Sequence, residues 1–572
     1  MYIIADNTYH MNMTTTQLCV KCQSPFGITD DDRAFLERVS PEFNGKKELV
    51  PSPTHCPRCR MQRRLAFRNN GYYEHRTCDL TGNKTISIHG PDSGYTVYDQ
   101  KAWWGDGWDP LSYGKDFDFS RPFFEQFREL QLKVPRMSLQ QLGNENSEYT
   151  NYVSYLKNCY MLTTSDFNQD CYYGFWIERS KDCVNNFLID SCERASGSIF
   201  SIGIYNSRDV YFSANCSDCN YLVDCRGCRS CTLCSGLRNK EYCFENMQYS
   251  KEEYERKVAG LTLHTHSGTQ QAKETFYGLI RAAIHPPIHK QGTVNDSSGD
   301  FLIDTDNCTD CYEVMNGKDC KHVIGGVDIK DVRDCCYANG ELAYENCECF
   351  PAPYQSCFNL NSYTGRNLLY CDMCMNECQN LFGCVSLKKA KYCILNKQYS
   401  KEEYEALVPK IIDHMRQAGE WGEYFPVALS PFGYNQSEAF DDFPLTQEQT
   451  MQSGWKWTEQ IDRVAPDTVQ AASLPDAITD VTDDITKQTI ACEVTGKAFK
   501  IIPQELRYYR DTSMPLPRRS PEQRRIELLS ARNPRHLFER PCMHCSKPMQ
   551  TTYAPDRPEM VYCERCYLEA VY

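Results

Sequence analysis

The chain has 572 residues, a formal net charge of −14 and 34 cysteines. That length exceeds one ordinary core and sets an expectation of about three or four structural units, extended repeats excepted. The acidic balance argues against a protein coated in nucleic acid, and the lack of any apolar run of about 18 residues excludes a helical membrane span.

The opening MYIIADNTYHMNM has neither the basic start nor the apolar run of a secretory signal. The expected setting is therefore cytoplasmic and reducing, with cysteine serving as metal ligand or small buried residue. The first knuckles follow. CVKC supplies Cys19 and Cys22, CPRC supplies Cys56 and Cys59, and the 33-residue spacer holds DDRAFLERV, a predicted helix. Paired knuckles in a reducing compartment point to a zinc ribbon over 1–75. Arg60, Arg64 and Arg68 share one face of the helix that CPRC opens, and Arg63 lies beside them.

Residues 76–140 form an expected metal-free ribbon-like module and linker helix. A shift of 464 places Arg68-Asn69 on Arg532-Asn533, Cys78 on Cys542 and Val97-Tyr98 on Val561-Tyr562, leaving Thr81, Asp99 and Ala102 where three ligands would stand. Such a ribbon must be held by packing, for which Trp103, Trp104 and Trp108 are the candidates.

The middle repeats itself. YCFENMQYSKEEYE from Tyr242 and YCILNKQYSKEEYE from Tyr392 agree at eleven of fourteen positions. Ser250 with Glu253, and Ser400 with Glu403, have capping-box spacing, so each phrase opens a helix. Before the first, Cys159, Cys171, Cys183, Cys192, Cys216, Cys219, Cys225, Cys228, Cys231, Cys234 and Cys243 all fall on multiples of three. Neither a helix nor a flat strand keeps that phase. Short arcs and corners in threes do, and they place one small side chain repeatedly inward. Asn158, Asp170, Asp182, Asn215, Asp218, Asp224, Asn307, Asp310, Asp319, Asp334 and Asn346 each precede a cysteine, and Asn and Asp tolerate the left-handed corner such a coil requires. The expected fold class is mainly β: two Cys-rich parallel β-solenoid stacks with helical caps, over 141–260 and 301–420, flanked by zinc-ribbon modules at both ends. A helical connector is expected at 261–300, and a slip of the three-residue phase near Met375.

A loop and acidic linker span 421–487, with LPDAITDVTDDITKQ read as extended. A degenerate ribbon with a basic helix carrying Arg524 and Arg525 spans 488–541, where CEVTGKAFKI keeps Cys492 and lacks three further ligands. The last module, 542–572, has Cys542 and Cys545, 17 intervening residues, then Cys563 and Cys566, a four-cysteine zinc spacing. Two structural zinc ions are thus expected.

CPRCRMQRRLAFRN, YCILNKQYSKEEYE, LSPFGYN and TYAPDRPEMVYCERCY resemble a family of uncharacterised bacterial proteins with terminal zinc ribbons around a Cys-rich repeat region. The resemblance covers most of the chain and implies no activity.

No Walker loop, GxGxxG fingerprint, HExxH helix or GxSxG elbow occurs. The expected function is a zinc-binding interaction or scaffold protein with a protein partner. RNA or DNA is the second partner class, through Arg60, Arg63, Arg64, Arg68, Arg524 and Arg525. Against this stands pairing of those arginines with 301–350, which carries eleven acidic and four basic residues. Two other classes are a β-solenoid polysaccharide-active enzyme and an iron–sulfur protein using Cys225, Cys228, Cys231 and Cys234. His264, His266, His285 and His289 read as solvated rather than ligating.

Overall fold

The computed structural model describes residues 14–69, 71–459 and 468–571. The opening stretch used to judge the compartment, and 460–467 of the acidic linker, lie outside the described residues. Two compact units result: one joins the chain up to Ser138 with Lys290–Thr458, the other joins Leu139–His289 with the chain from Glu459. Each terminal ribbon pair therefore shares a unit with the stack farther from it in sequence. Nothing in the local sequence pattern announced this crossing.

The first stack is built from parallel strands at a register of twelve. Thr163 pairs with Phe175, Phe175 with Phe187, Phe187 with Ile199, Ile199 with Tyr211, and Tyr211 with Val223. Left-handed backbone recurs at every third residue, as at Asn158, Met161, Thr164, Phe167 and Asp170. The buried cluster Val153, Leu156, Cys159, Leu162, Cys171, Ile177 and Cys183, continuing to Cys243, lies wholly on multiples of three. Inward position and corner thus alternate in the fixed phase that the cysteines announced. A left-handed corner costs a non-glycine residue about 1–3 kcal/mol, and it persists because each rung bonds the next. The Asn158 amide, for example, donates to Glu145 O at 3.0 Å, and the Asp170 amide to Lys157 O at 2.9 Å.

The cysteines suit this interior because a thiol is a small apolar group with a weak donor. Cys171 Sγ donates to Gln169 O at 3.3 Å and Ser180 O at 3.5 Å; Cys234 Sγ donates to Thr232 O at 3.2 Å and Cys243 O at 3.5 Å. Of the eleven Asn/Asp corners, ten are left-handed. Asn346 is the exception. Glu345 takes the corner, while Asn346, fully buried, accepts from the Asn359 amide at 2.9 Å and donates to Ser356 Oγ at 2.8 Å.

The second stack repeats the plan with interruptions. Its register is twelve at Tyr312↔Ile324 and thirteen at Leu368↔Leu381. Asn376 and Glu377 are consecutive left-handed residues. That one-residue insertion shifts the core phase between Cys374 and Cys378, beside the expected slip. Both stacks end in an antiparallel hairpin followed by a helix, Lys251–Gly260 or Lys401–Gln417, each with the expected capping box. Tyr254 and Tyr404 seat these helices on Tyr242 and Tyr392 of the last parallel strand, with ring centroids 5.9 and 5.8 Å apart.

Two expectations change. Lys290–Asn295, placed in the connector, is the first strand of the second stack. LPDAITDVTDDITKQ is not an extended linker: Leu474, Ile478, Val481 and Ile485 are buried in one cluster with Tyr172, Tyr173 and Val184 of the first stack. Apolar residues spaced by three or four among the acids allow short 3-10 turns to pack.

Candidate metal centres

Four short hairpins share one knuckle geometry. At their first cysteines, Cys19, Cys78, Cys492 and Cys542, the amide donates to the carbonyl five residues on, at 3.0, 2.8, 2.9 and 2.8 Å. The amide four residues on returns to each cysteine's carbonyl, at 2.9, 2.9, 2.8 and 2.8 Å. That residue, Gln23, Gly82, Gly496 or Ser546, is left-handed each time. The amide after each first cysteine reaches the carbonyl two residues before the third ligand position: Val20 to Thr54 O, Asp79 to Val97 O, Glu493 to Arg518 O, and Met543 to Val561 O. A helix follows each third position: Pro57–Leu65, Gln100–Trp104, Pro521–Ser530 and Glu564–Val571.

Two of these ribbons carry four cysteines. The Sγ atoms of Cys19, Cys22, Cys56 and Cys59 lie within 4.8 Å of one another, as do those of Cys542, Cys545, Cys563 and Cys566. Cys22 to Cys56 and Cys545 to Cys563 are each 3.7 Å. Four thiolates about 2.3 Å from a tetrahedral ion stand about 3.8 Å apart, so both clusters can hold a metal ion with little adjustment. In each cluster at least one sulfur is prepared for negative charge, while Cys59 is pushed up by its neighbouring thiols and burial, and Cys566 by burial and its neighbouring thiols. The Cys59 thiol holds Cys56 down to about 4. Burial opposes ionisation of Cys542, yet the amides of Cys545 and Cys563, donating at 3.5 and 3.2 Å, bring it to about 6.

The other two ribbons keep the frame without the thiols. Thr81 Oγ1 donates to Asp99 Oδ2 at 3.1 Å, and the Asp99 amide donates to Cys78 Sγ at 3.2 Å, the same bond that Cys563 gives Cys542. Asp99 also caps its helix, accepting from the Ala102 amide at 2.8 Å. Ser520 does likewise for the Gln523 amide at 3.3 Å, and Thr495 bonds Cys492. In the four-cysteine site Cys56 provides no such cap. The expected tryptophan packing is present. Trp103 is fully buried beside Cys78, Tyr98 and Met137, and Lys388 Nζ lies 4.9, 5.9 and 5.1 Å from the Trp103, Trp104 and Trp108 rings.

Four arginines on the Pro57–Leu65 helix and just after it, Arg60, Arg63, Arg64 and Arg68, are engaged in ion pairs. Arg60 Nε and Nη2 each donate to Asp334 at 2.8 Å. Arg63 reaches Glu345 at 3.1 Å and Glu423 at 2.8 Å, and Arg64 reaches Glu345 at 3.0 Å. Arg68 pairs with Glu348 at 2.5 Å and Glu438 at 2.6 Å over the Tyr337 ring. All four guanidinium groups are buried, and a phosphate could reach them only by displacing these carboxylates. Arg524 is likewise buried, on Glu505 at 3.3 Å and over the Tyr173 ring; Arg525 is half-buried on the same helix. The rival reading, pairing with 301–350, describes Asp334, Glu345 and Glu348. It missed Glu423 and Glu438, which no local pattern linked to these arginines.

Two of the four histidines differ from expectation, whereas His264 is exposed and His266 half-buried. His285 and His289 are buried and share Tyr553 Oη at 3.1 and 3.3 Å. Burial lowers His285 to about 4, a neutral ring bonded to Ile280 O at 2.7 Å. Among the described residues the two four-cysteine clusters alone meet metal-ligand geometry; the run Cys225 to Cys234 is part of the stack core. No family model, curated protein or solved structure matches this chain.

Proposed function

We propose that the protein is a zinc-binding interaction scaffold with a protein partner, in which each parallel stack is a β-solenoid of four three-residue arcs per coil. The observation that carries this reading is the closure of both metal centres by four thiol ligands. A site so closed leaves no position for substrate and serves structure. Zinc is favoured by the all-cysteine tetrahedral set. The ion would tie the Pro57–Leu65 helix, through Cys56 and Cys59, to its hairpin, and so hold Arg60, Arg63 and Arg64 against the stack. All 34 cysteines are unbridged, which supports a reducing, cytoplasmic setting. No helix among the described residues is long and apolar enough to cross a membrane. Affinity capture of the tagged full chain, with the Cys542→Ser/Cys563→Ser variant alongside, tests the reading by mass spectrometry. A saturable protein partner lost with the variant supports it. Capture of RNA alone, resistant to high salt, overturns it.

One observation favours the polysaccharide-active reading as a second. Asp166, Glu178 and Asp190 pair across adjacent strands, about 4.8 Å apart. Burial and the Asp166 charge push the Glu178 carboxyl well up, while Asp190 pairs with Arg179. Beside them Tyr155 and Phe167 are exposed and stacked, 5.1 Å apart. Release of reducing ends from a polysaccharide panel, abolished by Glu178→Gln, would establish this reading; no release removes it.

A further inference from the structure

We infer that the chain is two copies of one module, each laid out for two metal ions, and that each copy has exchanged the opposite ion for a helix cap. Cys78/Thr81/Asp99/Ala102 and Cys492/Thr495/Ser520/Gln523 are therefore latent thiolate metal sites. The inference rests on the zinc reading above and goes beyond it.

Three observations carry it. The knuckle hydrogen bonds of all four ribbons superpose bond for bond, including the long bond that sets the third ligand position. From one unit to the other the chain order of the two ribbons is reversed. The four-cysteine ribbon comes first beside the second stack, at Cys19 to Cys59, and last beside the first stack, at Cys542 to Cys566. The third position then shows the exchange itself. Cys56 starts its helix without a side-chain cap, whereas Asp99 and Ser520 start theirs by accepting the amide three residues on.

A metal ion and an N-cap solve the same local problem. Each fixes the start of a helix to the knuckle, the ion by binding a sulfur at the helix start and the cap by satisfying an orphan amide. Once a ribbon packs on its stack, as Cys78 does among Trp103, Met137 and Met373, the cap suffices and the ligands are free to change. Cys492 retains part of the old chemistry. Burial opposes its ionisation, but Thr495 and the Ser520 amide lower it to about 7.

The test restores the ligands in the full chain. Thr495→Cys/Ser520→Cys/Gln523→Cys should raise bound zinc from two to three ions per chain, and cobalt titration should show a third tetrahedral thiolate equivalent. Thr81→Cys/Asp99→Cys/Ala102→Cys should do the same at the other latent site, and this second variant guards against misfolding of the first. Wild-type protein with two ions and both variants also at two, with native circular dichroism, would overturn the inference while leaving the zinc reading intact. Wild-type protein with none would overturn the zinc reading first.

Discussion

Replacing Arg64 by methionine tests how the terminal ribbon is held on its stack. Arg64 donates to Glu345 at 3.0 Å and lies 3.5 Å from Asp334, with the guanidinium 0% and the carboxylates 1% and 5% exposed. Removing one partner of a buried pair strands the other and costs about 3–5 kcal/mol. Glu345 keeps Arg63 at 3.1 Å, so the lower end, about 3 kcal/mol, is expected. Adding Glu345→Gln removes the excess negative charge, leaving Arg60 on Asp334 and Arg63 on Glu423, and should recover about 1–2 kcal/mol of that loss. Arg565→Met, at an exposed pair with Glu569, should leave the midpoint unchanged. The assay is urea unfolding of the full chain, followed by tryptophan fluorescence and fitted as two transitions.

The same network sets an acid limit. Burial pushes the Asp334 carboxyl up, but Arg60 and Arg64 hold it down to about 2, against an ordinary 3.8. A lowered folded value means stability complete above about pH 3.8 and lost as pH falls towards 2, worth about 2 kcal/mol. Arg64→Met should move that loss to higher pH. A loss under about 1 kcal/mol, or an unmoved acid limb, would refute the argument that these charges are buried and mutually dependent.

Further outcomes follow from the corners, the thiols and the cap. Gly365, at φ +111°, would place a Cβ 2.2 Å from Cys378 O, whereas Gly419, at φ +71°, has open space around it; Gly365→Ala should therefore cost several times more than Gly419→Ala in unfolding free energy, the latter about 1 kcal/mol. Alkylation mapped by peptide mass spectrometry should spare every cysteine of the native protein, and after chelation should mark the exposed Cys22 and half-buried Cys545 and Cys563 before any stack cysteine. Ser400→Ala removes the cap that the Glu403 amide uses at 3.1 Å and should cost about 1 kcal/mol, seen as faster amide exchange over the Lys401–Gln417 helix.

Much of this architecture could be read residue by residue. Cysteines on multiples of three marked the core phase because only one position in three points inward, and Asn or Asp before them marked corners because few other side chains tolerate left-handed backbone. The four-cysteine spacings located both thiol clusters for a similar reason: ligands must lie close in the chain to form a knuckle. What escaped was decided at long range. Arg60 and Arg64 looked like a basic surface because their partners, Asp334 and Glu345, lie more than 270 residues away. Leu474 to Ile485 looked like linker because its apolar residues are sparse, yet they suffice to cover Tyr172 and Val184. Asn346 broke the corner rule because its coil is one residue short, the register falling from twelve at Gly326↔Ala338 to eleven at Arg333↔Tyr344, and the phase carries no local mark of where it slips.

Elemental analysis of the anaerobically purified full chain, alongside Cys56→Ser/Cys59→Ser and Cys563→Ser/Cys566→Ser variants, tests the two-centre account most directly. Two zinc ions per chain, falling to one in either variant, is the expected result. Iron with acid-labile sulfide, or zinc content indifferent to these cysteines, would contradict it.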